Sequence, residues 1–222
     1  MRWRGLTVAA MTIAAAIAGV GACSDPVAPV RTGVYSFADT IIIGVDTTID
    51  LFRWPEHRLP VRFWTDPRGN MAFLVARAVR EWENQFLYAE FRGELITDST
   101  RADVIVRWTD SVPPDVPPDF TPPNSCGGFT TFDYDTTGFA LSGPIHVSLS
   151  VLSGPASAAR VQGCMRRLAI HELGHALGLL RHSPFPEDIM YGSPDSNFVS
   201  TFDRRTVETL YHSRPTVTPP PP

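Results

Sequence analysis

Alternating hydrophobic and polar residues predict four elements in the first half of the chain. Residues 59–65, LPVRFWT, alternate for most of their length, as a half-buried strand does. In residues 70–88 the apolar positions recur at helical spacing, and Asn70 is a suitable N-cap. Residues 91–96 and 102–108 are predicted strands, the second being rich in β-branched residues. The pattern therefore predicts the order strand, long helix, strand, strand.

The second half of the chain contains one further predicted strand and two predicted helices. Residues 144–151, PIHVSLSV, are typical of a strand. Helices are predicted over residues 160–180 and 200–211, the latter with Ser200 as its cap. Ahead of all these elements, residues 35–51 mix β-branched residues with Asp and Thr and predict one or two strands.

Composition indicates one domain with proline-rich segments around and within it. The chain has 222 residues, enough for one domain with a substantial core. Most of its 21 prolines lie in residues 25–30, 112–123 and 215–222. The net charge is -4 and no basic run stands out, so nucleic acid is not an expected partner.

The first residues predict export. Arg2 and Arg4 precede an apolar run over residues 6–20 that is too short for a comfortable membrane span. Small residues follow this run. The layout is that of a secretory signal over residues 1–22.

The residues around Cys23 resemble a bacterial lipobox, VGAC. This resemblance implies that Cys23 is acylated and anchors the chain to a membrane through an N-terminal lipid. An ordinary signal that is cleaved at a nearby alanine is the alternative. Ser24 follows the cysteine, which by analogy with lipoprotein sorting favours the outer membrane or cell surface.

Cys126 and Cys164 are the two remaining cysteines. Because exported proteins occupy oxidising compartments, these two residues are a candidate disulfide. Two buried free thiols are the alternative. The disulfide would connect the segment before the last predicted strand to the helix at 160–180.

The run HELGHALGLLRH contains the candidate metal ligands and the candidate proton acceptor of the chain. His171 and His175 are four residues apart, about 40° from one another around a helix, so both imidazoles can bind one metal ion. Glu172, beside the first histidine, can accept a proton from water at that metal. Chance occurrence of this pentapeptide on a polar helix face is the alternative. The pattern favours a zinc hydrolase.

A third ligand is available after the helix. Gly178 can adopt the left-handed conformation that ends a helix and turns the chain back, and His182 follows it. Three imidazoles leave one coordination position for water, whereas a structural zinc site is closed by four protein ligands. This arrangement favours catalysis.

These residues resemble the signature of the matrixin peptidases, HExxHxxGxxH followed by a Met-turn. Residues 171–178 match it fully, but three residues separate Gly178 from His182 where the signature has two. Met190 corresponds to the Met-turn methionine. The resemblance implies an α+β fold with a mixed, twisted sheet of about four to five strands. It also implies a long N-terminal helix, a zinc-site helix and a C-terminal helix.

The resemblance further implies a zinc endopeptidase with Glu172 as general base. The strand at 144–151 would be the antiparallel edge strand that pairs with substrate backbone, and residues 192–199 would wall the pocket beyond the cleaved bond. The substrate-binding residues implied are Ile145, His146, Val147, Ser148 and Leu149. An edge strand covered by residues 112–123 is one alternative. A zinc-site adhesion or binding lipoprotein without activity is the alternative function.

The predicted organisation is a tether over residues 23–52, a catalytic domain over 53–213 with a proline-rich loop at 112–123, and a tail over 214–222. One catalytic zinc is expected. The segments that hold structural calcium or a second zinc in matrixins have no clear counterpart here. A propeptide motif PRCGxPD is also lacking, so latency through a cysteine is not supported. Protein or peptide substrates and a monomer are expected.

Overall fold

A computed structural model of the chain describes residues 34–43, 46–110, 119–120, 125–135, 139–152 and 157–220. The predicted signal, Cys23 and most of the proline-rich loop lie outside the described residues. The strands are β1 Asp39–Ile43, β2 Asp46–Asp50, β3 Val61–Thr65, β4 Gly93–Leu95, β5 Val104–Trp108, β6 Cys126–Thr131 and β7 Ile145–Val151. The helices are α1 Met71–Glu83, α2 Ala158–Ala176 and α3 Thr201–Tyr211. Among these residues no helix has the length and apolar character needed to span a membrane.

In the described part of the chain, five strands form one mixed sheet in the order β4-β3-β5-β7-β6. The first four strands in this order run parallel to one another, and only β6 runs antiparallel to its neighbour β7. A separate antiparallel hairpin is formed by β1 and β2. The predicted α+β fold, with a mixed sheet and three principal helices, is confirmed.

Helix α1 buries one face against the sheet and α2. Its buried positions recur at helical spacing and are Met71, Leu74, Val75, Ala78, Val79 and Trp82. The indole N–H of Trp82 donates to the carbonyl of Ile170 on α2 (2.8 Å). The helix ends at Glu83, earlier than the predicted end at Tyr88, because the next N–H groups form tighter turns, including Phe86 N to Glu83 O (3.1 Å).

The edge of the sheet differs from the prediction. Strand β7 pairs with β5 on one side and with β6 on the other, so the predicted edge position of Ile145–Leu149 is wrong. Strand β6 takes that edge. The pattern missed β6 because its sequence, CGGFTT, contains two consecutive glycines, which are depleted in strands. In the described part of the chain, the outer edge on this side of the sheet therefore belongs to β6 and not to β7.

Buried core residues also lie on both sides of the range 53–213. Phe52 is fully buried and forms a parallel bridge with Val217 in the proline-rich tail. Trp54, also fully buried, donates its indole N–H to the carbonyl of Ala176 at the end of α2 (3.0 Å). The buried side chain of Tyr35 belongs to the same core. Segments near both ends of the described chain thus pack where α2 terminates.

A disulfide joins Cys126 at the start of β6 to Cys164 in α2, with an S–S distance of 2.00 Å. Both side chains are buried. The bridge covalently connects the edge strand to the helix that carries His171 and His175.

Candidate metal centre

Three histidine side chains converge where α2 ends. The ring centroids of His171 and His175 are 4.8 Å apart, and that of His182 lies 5.2 and 5.1 Å from them. One candidate ligand atom from each histidine and one from Asp119 all lie within 4.8 Å of one another. The structure brings together the three histidines that the sequence predicted as ligands. It adds Asp119, which the sequence analysis missed.

The turn at Gly178 delivers His182 to the other two rings. Helix α2 ends at Ala176, and Gly178 has a φ of +109°, a conformation that residues with a side chain rarely adopt. A Cβ atom at Gly178 would lie 1.9 Å from the carbonyl oxygen of Phe52. Glycine is therefore required both by the backbone angle and by the close approach of another segment.

The segment between Gly178 and His182 is one residue longer than in the matrixin signature, and part of it is exposed to solvent. Leu179 is buried, whereas Arg181 is exposed and forms an ion pair with Asp39 (2.6 Å). The longer spacing therefore does not prevent the third imidazole from reaching the cluster.

Backbone carbonyls orient two of the imidazoles. Nδ1 of His171 lies 2.7 Å from the carbonyl oxygen of Ile189, and Nδ1 of His175 lies 2.5 Å from that of Leu179. Since a carbonyl only accepts, each Nδ1 carries the proton and each Nε2 presents a lone pair to the cluster. Burial lowers the pKa of His171 to about 4, so this imidazole is neutral at neutral pH.

Met190, the predicted Met-turn methionine, packs against α2 beside His175. Its side chain is fully buried, and a Cβ atom at Gly174 would lie 2.3 Å from the Met190 sulfur. The backbone N–H groups of Ile189 and Met190 donate to the carboxylate of Asp203 (2.8 and 3.3 Å). That carboxylate also completes a capping box with Ser200 at the start of α3. One side chain thus caps a helix and holds the turn that supports the histidines.

Asp203 is a positioning residue whose role the sequence indicated only in part. The Ser-x-x-Asp pattern signals its place in the first helical turn, but not its contact with residues 189 and 190. The hydroxyl of Tyr35 also donates to it (2.8 Å). Burial raises the pKa of the Asp203 carboxyl, while hydrogen bonds from Ser200 and Tyr35 oppose that rise.

Glu172 is fully buried beside the histidines. The hydroxyl of Thr130 on β6 donates to Glu172 Oε2 (2.7 Å), whereas Oε1 is buried without a hydrogen-bond donor in the described part of the chain. Burial raises the pKa of the Glu172 carboxyl, and the negative charge of Asp119 raises it further. A cation among the imidazoles would offset both effects.

Asp119 faces all three rings. Its Oδ1 lies 2.9 Å from His182 Nε2, and its Oδ2 lies 3.4 and 3.6 Å from Nε2 of His171 and His175. Burial opposes ionisation of Asp119, but its contacts with the three imidazoles lower the pKa of its carboxyl below the usual value. A single aspartate within a proline-rich stretch carries no spacing signal that could have identified it.

The predicted substrate-binding residues lie in β7, within the sheet. Ile145, Val147 and Leu149 are fully buried core residues, and His146 and Ser148 are half-buried. None of them belongs to the cluster of histidines and Asp119. It is β6 that reaches Glu172, through Thr130.

The residues present fit a divalent zinc ion. Zinc prefers imidazole nitrogen and carboxylate oxygen at tetrahedral positions, and two Nε2 lone pairs are directed to one point by the carbonyls that hold Nδ1. In addition, Glu172 Oε1 is buried and has no hydrogen-bond donor among the described residues, so it is a further polar atom available to a zinc site.

An α+β domain with these histidines and this glutamate defines a site of the zinc-peptidase class. Residues 66–212 match the family model for matrixin, well over half of the chain, and the chain belongs to the matrixin family. No curated protein matches the chain significantly. Matrixins are zinc-dependent, so membership supports a metallopeptidase, and the cluster of Asp119 with the three histidines is a potential metal site.

Gly178→Ala is expected to destabilise the fold by more than about 2 kcal/mol, because both the positive φ and the contact with Phe52 exclude a side chain. Gly163→Ala on α2 is the matched control. A Cβ at Gly163 meets nothing within 4 Å, so alanine there should stabilise by roughly 0.5 to 1 kcal/mol. Urea unfolding of both variants measures the difference; equal effects would contradict the role assigned to Gly178.

Proposed function

We propose that this chain is a zinc-dependent endopeptidase that hydrolyses internal peptide bonds of proteins. The observation that carries the proposal is the convergence of three imidazoles beside the buried carboxylate of Glu172. His171, His175 and His182 would hold one zinc ion, and no accessory calcium or zinc is part of the proposal. Zinc bound there would supply a Lewis acid that activates water and polarises the scissile carbonyl.

Glu172 is the general base in this proposal. Thr130 holds one of its carboxylate oxygens, and the other oxygen is left to accept the proton of the attacking water. The same carboxyl can then pass the proton to the leaving amine. Because Glu172 adjoins His171 in the helix, one rigid element positions both the base and a ligand.

The alternative is a binding or adhesion protein that keeps the metal but has no activity. The environment of Glu172 favours the enzyme. Burying an ionisable carboxyl costs free energy, and a protein that only held a metal through its histidines would gain nothing from that cost. The hydrogen bond from Thr130 supports a positioned carboxylate.

We also propose that the chain is an exported, monomeric lipoprotein, anchored through Cys23 at the outer membrane or cell surface. The apolar run before Cys23 supports export, and the disulfide between Cys126 and Cys164 is consistent with an oxidising compartment.

Glu172→Gln is expected to lower kcat/KM for an unfolded protein substrate by roughly 100- to 10,000-fold, because the amide cannot accept the proton. Zinc content should stay near that of the unaltered chain, since Glu172 is not a proposed ligand. The exposed Glu187→Gln is the matched control and should change neither quantity. Undiminished hydrolysis by the Glu172 variant would exclude the proposed base.

His182→Ala is expected to weaken zinc binding by at least about tenfold and to abolish most of the hydrolysis, because two imidazoles remain. Competition with a chelator measures the affinity. His212→Ala, which alters an exposed histidine at the carboxyl end of α3, serves as control. Unchanged zinc affinity in the His182 variant would show that His182 is not a zinc ligand.

Cys23→Ala is expected to shift the protein from the membrane fraction to the soluble fraction when it is expressed in a bacterium with two membranes, because the acylated residue is lost. Ser24→Ala, which leaves the cysteine in place, should remain with the membrane. Fractionation followed by mass spectrometry of the amino terminus tests both. An unmodified Cys23 in membrane-free protein would contradict the anchor.

A further inference from the structure

We propose that Asp119 is a fourth protein ligand of the metal, and that Asp119 and Phe120 together occupy the place of a substrate, so that this form of the chain inhibits itself. The inference rests on the proposed function, because it concerns the same metal centre. Its support comes from the contacts of these two described residues of the proline-rich segment.

The carboxylate of Asp119 faces nitrogen atoms that present lone pairs. The protons of His171 and His175 are on Nδ1, where the carbonyls of Ile189 and Leu179 accept them. Their Nε2 atoms nevertheless lie 3.4 and 3.6 Å from Asp119 Oδ2. At this distance the nitrogen lone pairs and the negatively charged carboxylate repel each other, whereas a cation between them would attract both the nitrogens and the carboxylate. The arrangement is that of four ligands around one ion.

The backbone of Asp119 is paired with the outer edge of the sheet. Its N–H donates to the carbonyl of Gly128 on β6 (2.9 Å), and Gly128 N–H points back to the carbonyl of Asp119 (3.4 Å). This is an antiparallel bridge on the strand to which an extended peptide would add. The segment thus uses the backbone groups that a substrate would use.

Phe120 binds the opposite side of the cleft. Its N–H donates to the carbonyl of Gly192, two residues after Met190, at 3.0 Å. Its side chain is fully buried and lies edge-on to the ring of His171, with centroids 5.3 Å apart. An apolar side chain therefore fills the space beside the metal centre, within reach of the segment predicted to wall the substrate pocket.

The backbone of Phe120 is strained, with a φ of +57°. A bulky residue in this conformation costs on the order of 1 to 3 kcal/mol, so it persists only where surrounding contacts offset that cost. The bridge to β6, the hydrogen bond to Gly192 and the burial of the ring are those contacts. Release of Phe120 from these contacts would relieve that strain.

In this proposal, these contacts hold the centre inactive without the help of a cysteine. A centre with three histidines has one position for water, and Asp119 takes that position. A substrate peptide would have to displace both the carboxylate from the metal and the paired backbone from β6.

The test compares Asp119→Ala with the unaltered full-length protein after zinc has been exchanged for cobalt. Acetohydroxamate, a small metal-binding probe, is titrated while the visible cobalt spectrum is followed. With the carboxylate gone, the spectrum of the free protein should change and the probe should bind at least about tenfold more tightly, since it no longer competes with an internal ligand. kcat/KM for an unfolded protein substrate should rise by a similar factor.

Asp133→Ala, which removes an exposed aspartate, is the matched control and should resemble the unaltered protein.

Asp119→Asn provides a second variant that keeps the shape of the side chain, and circular dichroism shows whether each variant is folded. An unchanged cobalt spectrum and probe affinity in both variants would overturn the assignment of Asp119 as a ligand. A changed spectrum with diminished hydrolysis would overturn self-inhibition. Absence of hydrolysis in every protein tested would refute the proposed function, whereas the cobalt measurements would still decide whether Asp119 is a ligand.

Discussion

The metal centre depends on the sharp turn at Gly178, which brings the chain back to the helix it has just left. The carbonyl of Phe52 packs so closely against this glycine that no side chain fits. The turn has two consequences: Leu179 offers its carbonyl to His175, and His182 reaches the same point in space. Ligand and orienting group thus come from one short segment, and a small backbone change there would displace both.

A second level of support comes from distant parts of the chain. Asp203 on α3 accepts hydrogen bonds from the backbone beneath the histidines and from Tyr35 near the described amino-terminal end. The carbonyl of Ile189, held in this way, orients His171. The buried carboxylate therefore couples the ends of the described chain to the orientation of a proposed ligand. A polar network of this type confers a defined geometry because each buried group needs its partner.

The edge strand β6 connects the base to the substrate cleft. Through Thr130 it holds Glu172, through Cys126 it is linked to α2, and along its exposed edge it pairs with Asp119. The element that would align a peptide is therefore also the element that positions the proposed base. Asp119 and Phe120, on the other side of β6, lie against the same centre.

His171, Glu172, His175 and His182 could be predicted as candidate site residues from the chain alone, because helical spacing and a glycine turn relate them locally. Met190 was predicted only through the resemblance to the matrixin signature. Periodicity predicted most strands, since it reports which face of an element is buried, whereas the α+β class followed from the family resemblance. Tertiary structure decided the rest. Strand β6 has a glycine-rich sequence without a strand pattern, and β7 became an inner strand only because β6 pairs with it. Asp119 and Asp203 reach the centre through contacts between distant segments, and such contacts depend on how the elements pack, for which a local pattern carries no signal.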